Sequence, residues 1–186
     1  MSTPEPRWLS HQELAAWLNL TRLLLRLPTA LDRQLRDEAG LPHAYYQVLA
    51  ILSGQPGRAM RMAELARHTG TTPSRLSHAV ATLEQRGWIE RQACATDKRG
   101  QIALLTDAGF AVLEAAAPGH VAEVRRLVFD HLTPDDVAQL GAITAKLITD
   151  PLPGMLASES ETEGTAAAHC DLEGEQAEPL ARQGGA

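Results

Sequence analysis

Two cysteines in 186 residues, Cys94 and Cys170, are too few for a disulfide framework. No stretch approaches the roughly 20 consecutive apolar residues of a membrane-spanning helix. The opening Met1-Ser2-Thr3-Pro4-Glu5 lacks the apolar core of a signal peptide. A cytoplasmic protein away from the membrane is therefore expected. The constellations of enzymes are missing as well: no phosphate-cradling glycine loop, no supported Ser-His-Asp or Cys-His set, no paired metal-ligand spacing. His169-Cys170-Asp171 is too short a cluster to argue a metal site, and the other histidines are scattered. Neither catalytic residues nor a metal nor a cofactor is expected.

What is present is an uneven distribution of charge. The chain carries a net −6, yet residues 153–186 hold seven acids against Arg182 and so account for −6 by themselves. Residues 58–101 hold Arg58, Arg61, Arg67, Arg75, Arg86, Arg91, Lys98 and Arg99 against four acids, a local +4. A basic segment inside an acidic chain points to a polyanionic partner. The tail after Pro151-Leu152-Pro153-Gly154 is rich in Ala, Gly, Ser and Glu without apolar period, which predicts disorder. Such a tail either solvates the protein or competes with nucleic acid for the basic face.

The basic segment also has the pattern of a helix-turn-helix. Ala66 is small where two helices must approach, Gly70 can take the positive φ of the turn, and Leu76 anchors the second helix. Thr72-Pro73 starts that helix, a hydroxyl cap before a proline whose missing N–H costs nothing there. Leu76, Ala79 or Val80, and Leu83 recur at helical spacing, which leaves Ser74, Arg75, Ser77, His78 and Gln85 on the other face. Short donors and a long cation at a helix start suit base edges in a major groove. Arg75 is the clearest candidate, and Thr72 belongs to the same set. Ser74 and Ser77 either join it or satisfy local backbone groups, and His78 either bonds a base or is solvated.

Gly87 stops this helix, and Trp88-Ile89-Glu90-Arg91 and Gln101 to Leu105 read as the strands of a hairpin. Its polar tip offers Lys98 and Arg99 to a phosphate track or narrow minor groove. Asp97 beside them is suited to orienting the arginine rather than touching DNA.

Asp97-Lys98-Arg99 followed by Leu105-Thr106 resembles the wing signature of the MarR family of dimeric winged-helix regulators, over roughly residues 9–150. The resemblance implies a mainly α fold with a small β-wing, its N- and C-terminal helices intertwined in a twofold dimer. It implies a sequence-specific DNA-binding transcription regulator, a repressor that releases an inverted-repeat site on the double helix when a small, aromatic effector binds. Trp17, Tyr45 and Tyr46 either line that effector's pocket or pack in the core. The boundaries this suggests are 1–40 for the first dimerisation region, 41–106 for the reader, 107–152 for the closing helices and 153–186 for the tail.

The flanking pattern is consistent with that division. Ser10-His11-Gln12-Glu13 is a capping box, and Leu14, Trp17, Leu24, Leu27, Leu31 and Leu35 follow as an apolar stripe. Pro28 is expected to kink or split this helix near Leu27. Beyond Thr106 a long helix runs through Phe110, Leu113 and Val121, with a break or bend expected at Pro118-Gly119. Thr133-Pro134-Asp135-Asp136 opens a last helix bearing Val137, Leu140, Ile143 and Leu147. Two other functions fit the same fold, a winged-helix protein-interaction module and a thiol-based redox sensor using Cys94. The retained basic face argues against the first. The resemblance implies that a thiol sensor would carry its reactive cysteine near the start of the first helix, where this sequence has none, which argues against the second.

Overall fold

The computed structural model describes residues 6–94 and 100–149. Its helices are α1 (His11–Ala39), α2 (His43–Ser53), α3 (Met62–Thr69), α4 (Pro73–Gln85), α5 (Asp107–Leu127) and α6 (Pro134–Thr149). Strands β1 (Ala59–Arg61), β2 (Ile89–Ala93) and β3 (Gln101–Leu105) form one antiparallel sheet in the order β1-β3-β2. The fold is thus mainly α with a small wing. None of the described helices is long and apolar enough to cross a membrane.

In the sheet Ile89 faces Leu105 and Ala93 faces Gln101, so β2 and β3 are the arms of the expected hairpin. β1 was not anticipated. It pairs with the other edge of β3, Ala59 opposite Leu104 and Arg61 opposite Ile102, and buries Met60. Three residues are too short a run for strand alternation to register in a sequence.

α1 opens as its capping box predicts. The Glu13 N–H donates to Ser10 Oγ at 3.2 Å, and the Ser10 N–H donates to Glu13 Oε2 at 2.7 Å. The expected split at Pro28 is absent, for the helix continues across it. A proline frees the carbonyl four residues earlier. Here that residue is Leu24, on the exposed part of the helix, and one residue on the Thr29 hydroxyl donates to the Leu25 carbonyl at 3.3 Å. α5 likewise runs through Pro118-Gly119 without a break. Gly119 marks close packing on α1, since a Cβ there would crowd the Glu38 carboxylate and stand 3.2 Å from Gln34 Nε2.

The core sits between the ends of α1 and α5 and the reader. Leu35, Leu49, Leu52, Leu65, Leu76, Leu83 and Leu113 are buried in it, one cluster built from five helices. Truncating a leucine in such a setting typically costs about 2–5 kcal/mol. Only Leu31 and Leu35 of the α1 stripe are buried; Leu14, Trp17 and Leu24 are exposed. On α6 every described side chain is exposed, including Val137, Leu140, Ile143 and Leu147.

A hydrogen-bonded knot joins the base of the wing to α5. The Thr106 N–H donates to the Trp88 carbonyl at 3.1 Å, and its hydroxyl donates to the Gly87 carbonyl at 2.7 Å. That hydroxyl also caps α5 by accepting from the Gly109 N–H at 3.1 Å. A side chain at Gly109 would collide with the Trp88 carbonyl oxygen.

Candidate nucleic-acid interface

α3 and α4 form the helix-turn-helix, and the turn is set by backbone geometry. Gly70 ends α3 with φ +60°, a conformation that disfavours side chains. Its N–H returns to the Arg67 carbonyl at 3.1 Å and that of Thr71 to Ala66 at 3.2 Å, satisfying the last carbonyls of α3. Thr72 then caps α4, its Oγ1 accepting from the Arg75 N–H at 3.3 Å.

On α4, Leu76, Val80 and Leu83 are buried while Ser74, Arg75, Ser77 and His78 are exposed beside Thr72. The five candidate contact residues of this helix therefore share one open N-terminal face. Tyr45 of α2 borders it, lining a shallow hollow with Ser74, Arg75, His78 and Ala79. Arg75 forms no ion pair with any described residue, which leaves its guanidinium able to meet an outside acceptor.

The sequence model of the MarR family matches residues 39–100, the stretch holding α2, the helix-turn-helix and most of the wing. A MarR family transcriptional regulator from Streptomyces coelicolor, solved in complex with DNA, is 47% identical. The match covers 82% of this chain and 95% of that one, with a TM-score of 0.76. The chain belongs to the MarR family. AbsC, a further MarR family transcriptional regulator from S. coelicolor, is 35% identical over 77% of this chain and 96% of its own, with a TM-score of 0.71. The transcriptional repressor MprA of Escherichia coli K12 is 27% identical over 134 residues, 70% of this chain and 75% of MprA. This protein is accordingly a DNA-binding transcriptional regulator, and its relatives are regulators rather than enzymes.

Within this MarR family member the basic segment divides into two kinds of arginine. Some hold the reader together. Arg91 of β2 grips Glu84 of α4, its Nε donating to Oε2 at 2.8 Å and its backbone N–H to Oε1 at 3.3 Å. The side-chain bonds from Arg91 hold the Glu84 carboxyl below the usual glutamate range. Arg58 pairs with Asp107 at 3.0 Å and lies over the Phe110 ring at 3.9 Å. Arg86 stacks on Trp88 at 4.9 Å and on Tyr45 at 5.9 Å. These attachments were not apparent in the sequence. Asp97, Lys98 and Arg99 lie outside the described residues, as does the acidic tail.

The three aromatic candidates are separated. Tyr46 is buried against His120, Tyr45 faces the recognition helix, and Trp17 stands 54% exposed on α1. Fourteen residues of helix, about 21 Å, separate Trp17 from the first buried leucine of α1, Leu31. Cys94 follows β2 rather than lying within it. It is 3% exposed, with Arg61 Nη2 3.4 Å from its sulfur. The described residues hold no group of three or more His, Cys, Asp or Glu side chains arranged for a metal.

Proposed function

We propose that this regulator is a cytoplasmic, ligand-responsive repressor that binds an inverted-repeat operator as a homodimer. The observation that carries the assembly is the apolar surface left uncovered in a single chain. Trp17, Leu24 and Leu25 on α1, and Ile143, Leu147 and Ile148 on α6, are all exposed by 45% or more. Surface of that extent belongs in an interface. Residues 1–40 and 107–152 would then assemble the dimer, and residues 41–106 would read DNA. A twofold axis sets two recognition helices about one turn of DNA apart, which matches an inverted repeat.

In this reading Arg75 takes base-edge hydrogen bonds, supported by Thr72, Ser74, Ser77 and His78. Lys98 and Arg99 serve the backbone or minor groove, with Asp97 orienting Arg99. Repression follows from occupying a promoter, as the name of the MprA relative suggests. A small, aromatic effector acts by binding more tightly to a state whose recognition helices are differently spaced. The burial of Cys94 argues against a thiol sensor, because a reactive thiol needs access.

Light scattering at micromolar concentration is expected to give about twice the 20.1 kDa chain mass. In vitro selection from random duplexes should return an inverted repeat. A monomer, or an asymmetric selected site, would overturn the twofold reading. Arg99→Ala is expected to weaken binding to selected and random duplexes alike, because a minor groove distinguishes little beyond A·T from G·C. Unchanged affinity at moderate salt would remove Arg99 from the contact set.

A further inference from the structure

Where the reader meets α5, two histidines from different helices stack on each other. His43 opens α2 and His120 sits late in α5, their ring centroids 5.5 Å apart and tilted by 38°. Tyr46, one turn after His43, stands 4.3 Å from the His120 ring. α1 joins them through Asp32, whose Oδ1 accepts the His43 backbone N–H at 2.9 Å. Three helices are therefore fastened at one point.

This point is poorly suited to positive charge. His120 Nδ1 is buried without a hydrogen-bond partner, whereas an imidazolium presents two N–H donors that both need acceptors. Burial pushes both imidazoles below the ordinary histidine value, and His43 lowers His120 further; Asp32 acts in the opposite sense on His43 alone. Several of the other charged groups on the packed helices here are bonded to one another or to Gln34, while Arg33 and Asp37 line the hollow between α1 and α5. Arg36 is bonded to Asp32 at 2.6 Å, Glu38 accepts from Gln34 at 2.7 Å, and Arg126 is bonded to Glu123 at 2.7 Å. Tyr46 stays neutral, since burial raises its pKa.

We propose that the His43–His120–Tyr46 stack is an acid-sensitive joint, in which protonation of the pair separates α2 from α5 and weakens DNA binding. A base whose folded pKa is depressed takes up fewer protons than in the unfolded chain. Its contribution is complete above the unfolded value of 6.5 and is eroded as the pH falls below it. Two imidazolium rings at this spacing also repel each other. α2 carries the reader, so loosening it from α5 lets the recognition helices lose their fixed spacing. That last step rests on the dimer proposed above, which the mass and site selection near neutral pH test on their own.

The experiment uses the full chain and a duplex enriched by selection at about pH 7.5, titrated there and at about pH 5.5 at constant ionic strength, across the histidine range. The natural protein is expected to lose about tenfold in affinity, the equivalent of one pKa unit at one group. A His43→Gln/His120→Gln protein should bind normally at the higher pH and lose less than about threefold at the lower. His78, on the proposed DNA face, is present in both proteins, so the difference between them isolates the joint. Equal losses would overturn the proposal. Histidine-selective NMR of the natural protein decides independently of how the variant folds. Both resonances, assigned from the single variants, should titrate below 6.5, and titration of the pair at or above that value would also overturn it.

Discussion

Gly109→Ala is expected to destabilise the protein by about 3 kcal/mol, the upper end of what forcing a methyl into a packed site costs. The added carbon would overlap the Trp88 carbonyl oxygen and stand 2.8 Å from Leu105 Cδ1. Leu105 can rotate. The carbonyl cannot move away, because it accepts the Thr106 N–H, and Thr106 in turn holds Gly87 and caps α5. Relief therefore requires α5 to shift off the base of the wing. For a chain of this length such a loss lowers the thermal midpoint by roughly 6–12 °C. A midpoint within about 2 °C of the natural protein would mean that the knot yields more easily than its hydrogen bonds imply.

Arg75→Ala is expected to cost about 1–3 kcal/mol on the selected operator, a loss of roughly 5- to 150-fold in affinity. The loss on random duplex should be smaller, because a base contact adds little where the base is wrong. Arg75 carries this expectation rather than Arg91 or Arg58, since those two are tied to Glu84 and Asp107. Parallel titrations on both duplexes provide the check. Equal losses would make Arg75 a phosphate contact and shift sequence readout to Ser74, Ser77 or His78.

Local signals in the sequence were read correctly wherever the structure they encode is itself local. Ser10 and Glu13, Gly70 and Thr72 each act within a turn of their own position, as Thr106 does in capping α5. Attachments that cross the fold were not legible. Glu84 meets Arg91 only after the chain has turned at Gly87, and Arg58 finds Asp107 across 49 residues. Counting all the arginines as one basic face therefore overstated the charge available to DNA. The His43–His120 stack was hidden for the same reason, its members lying 77 positions apart in the chain. The two prolines misled in the other direction. Pro28 and Pro118 carry a strong local signal against helix, and packing of α1 against α5 around Gly119 and Leu35 outweighs it.

The grip of Arg91 on Glu84 has a bearing on which genomic sites such a regulator would accept. With helix and wing joined by Arg91 and Glu84 at one end and the wing tied to α5 through Thr106 at the other, each reader would be expected to turn as one piece. In the proposed dimer a single base pair inserted between half-sites would swing one of them about 35° around the DNA axis. A reader without internal play cannot follow that rotation by bending. The length of the spacer, which neither protein copy needs to touch, would then be enforced as strictly as the bases proposed to meet Arg75.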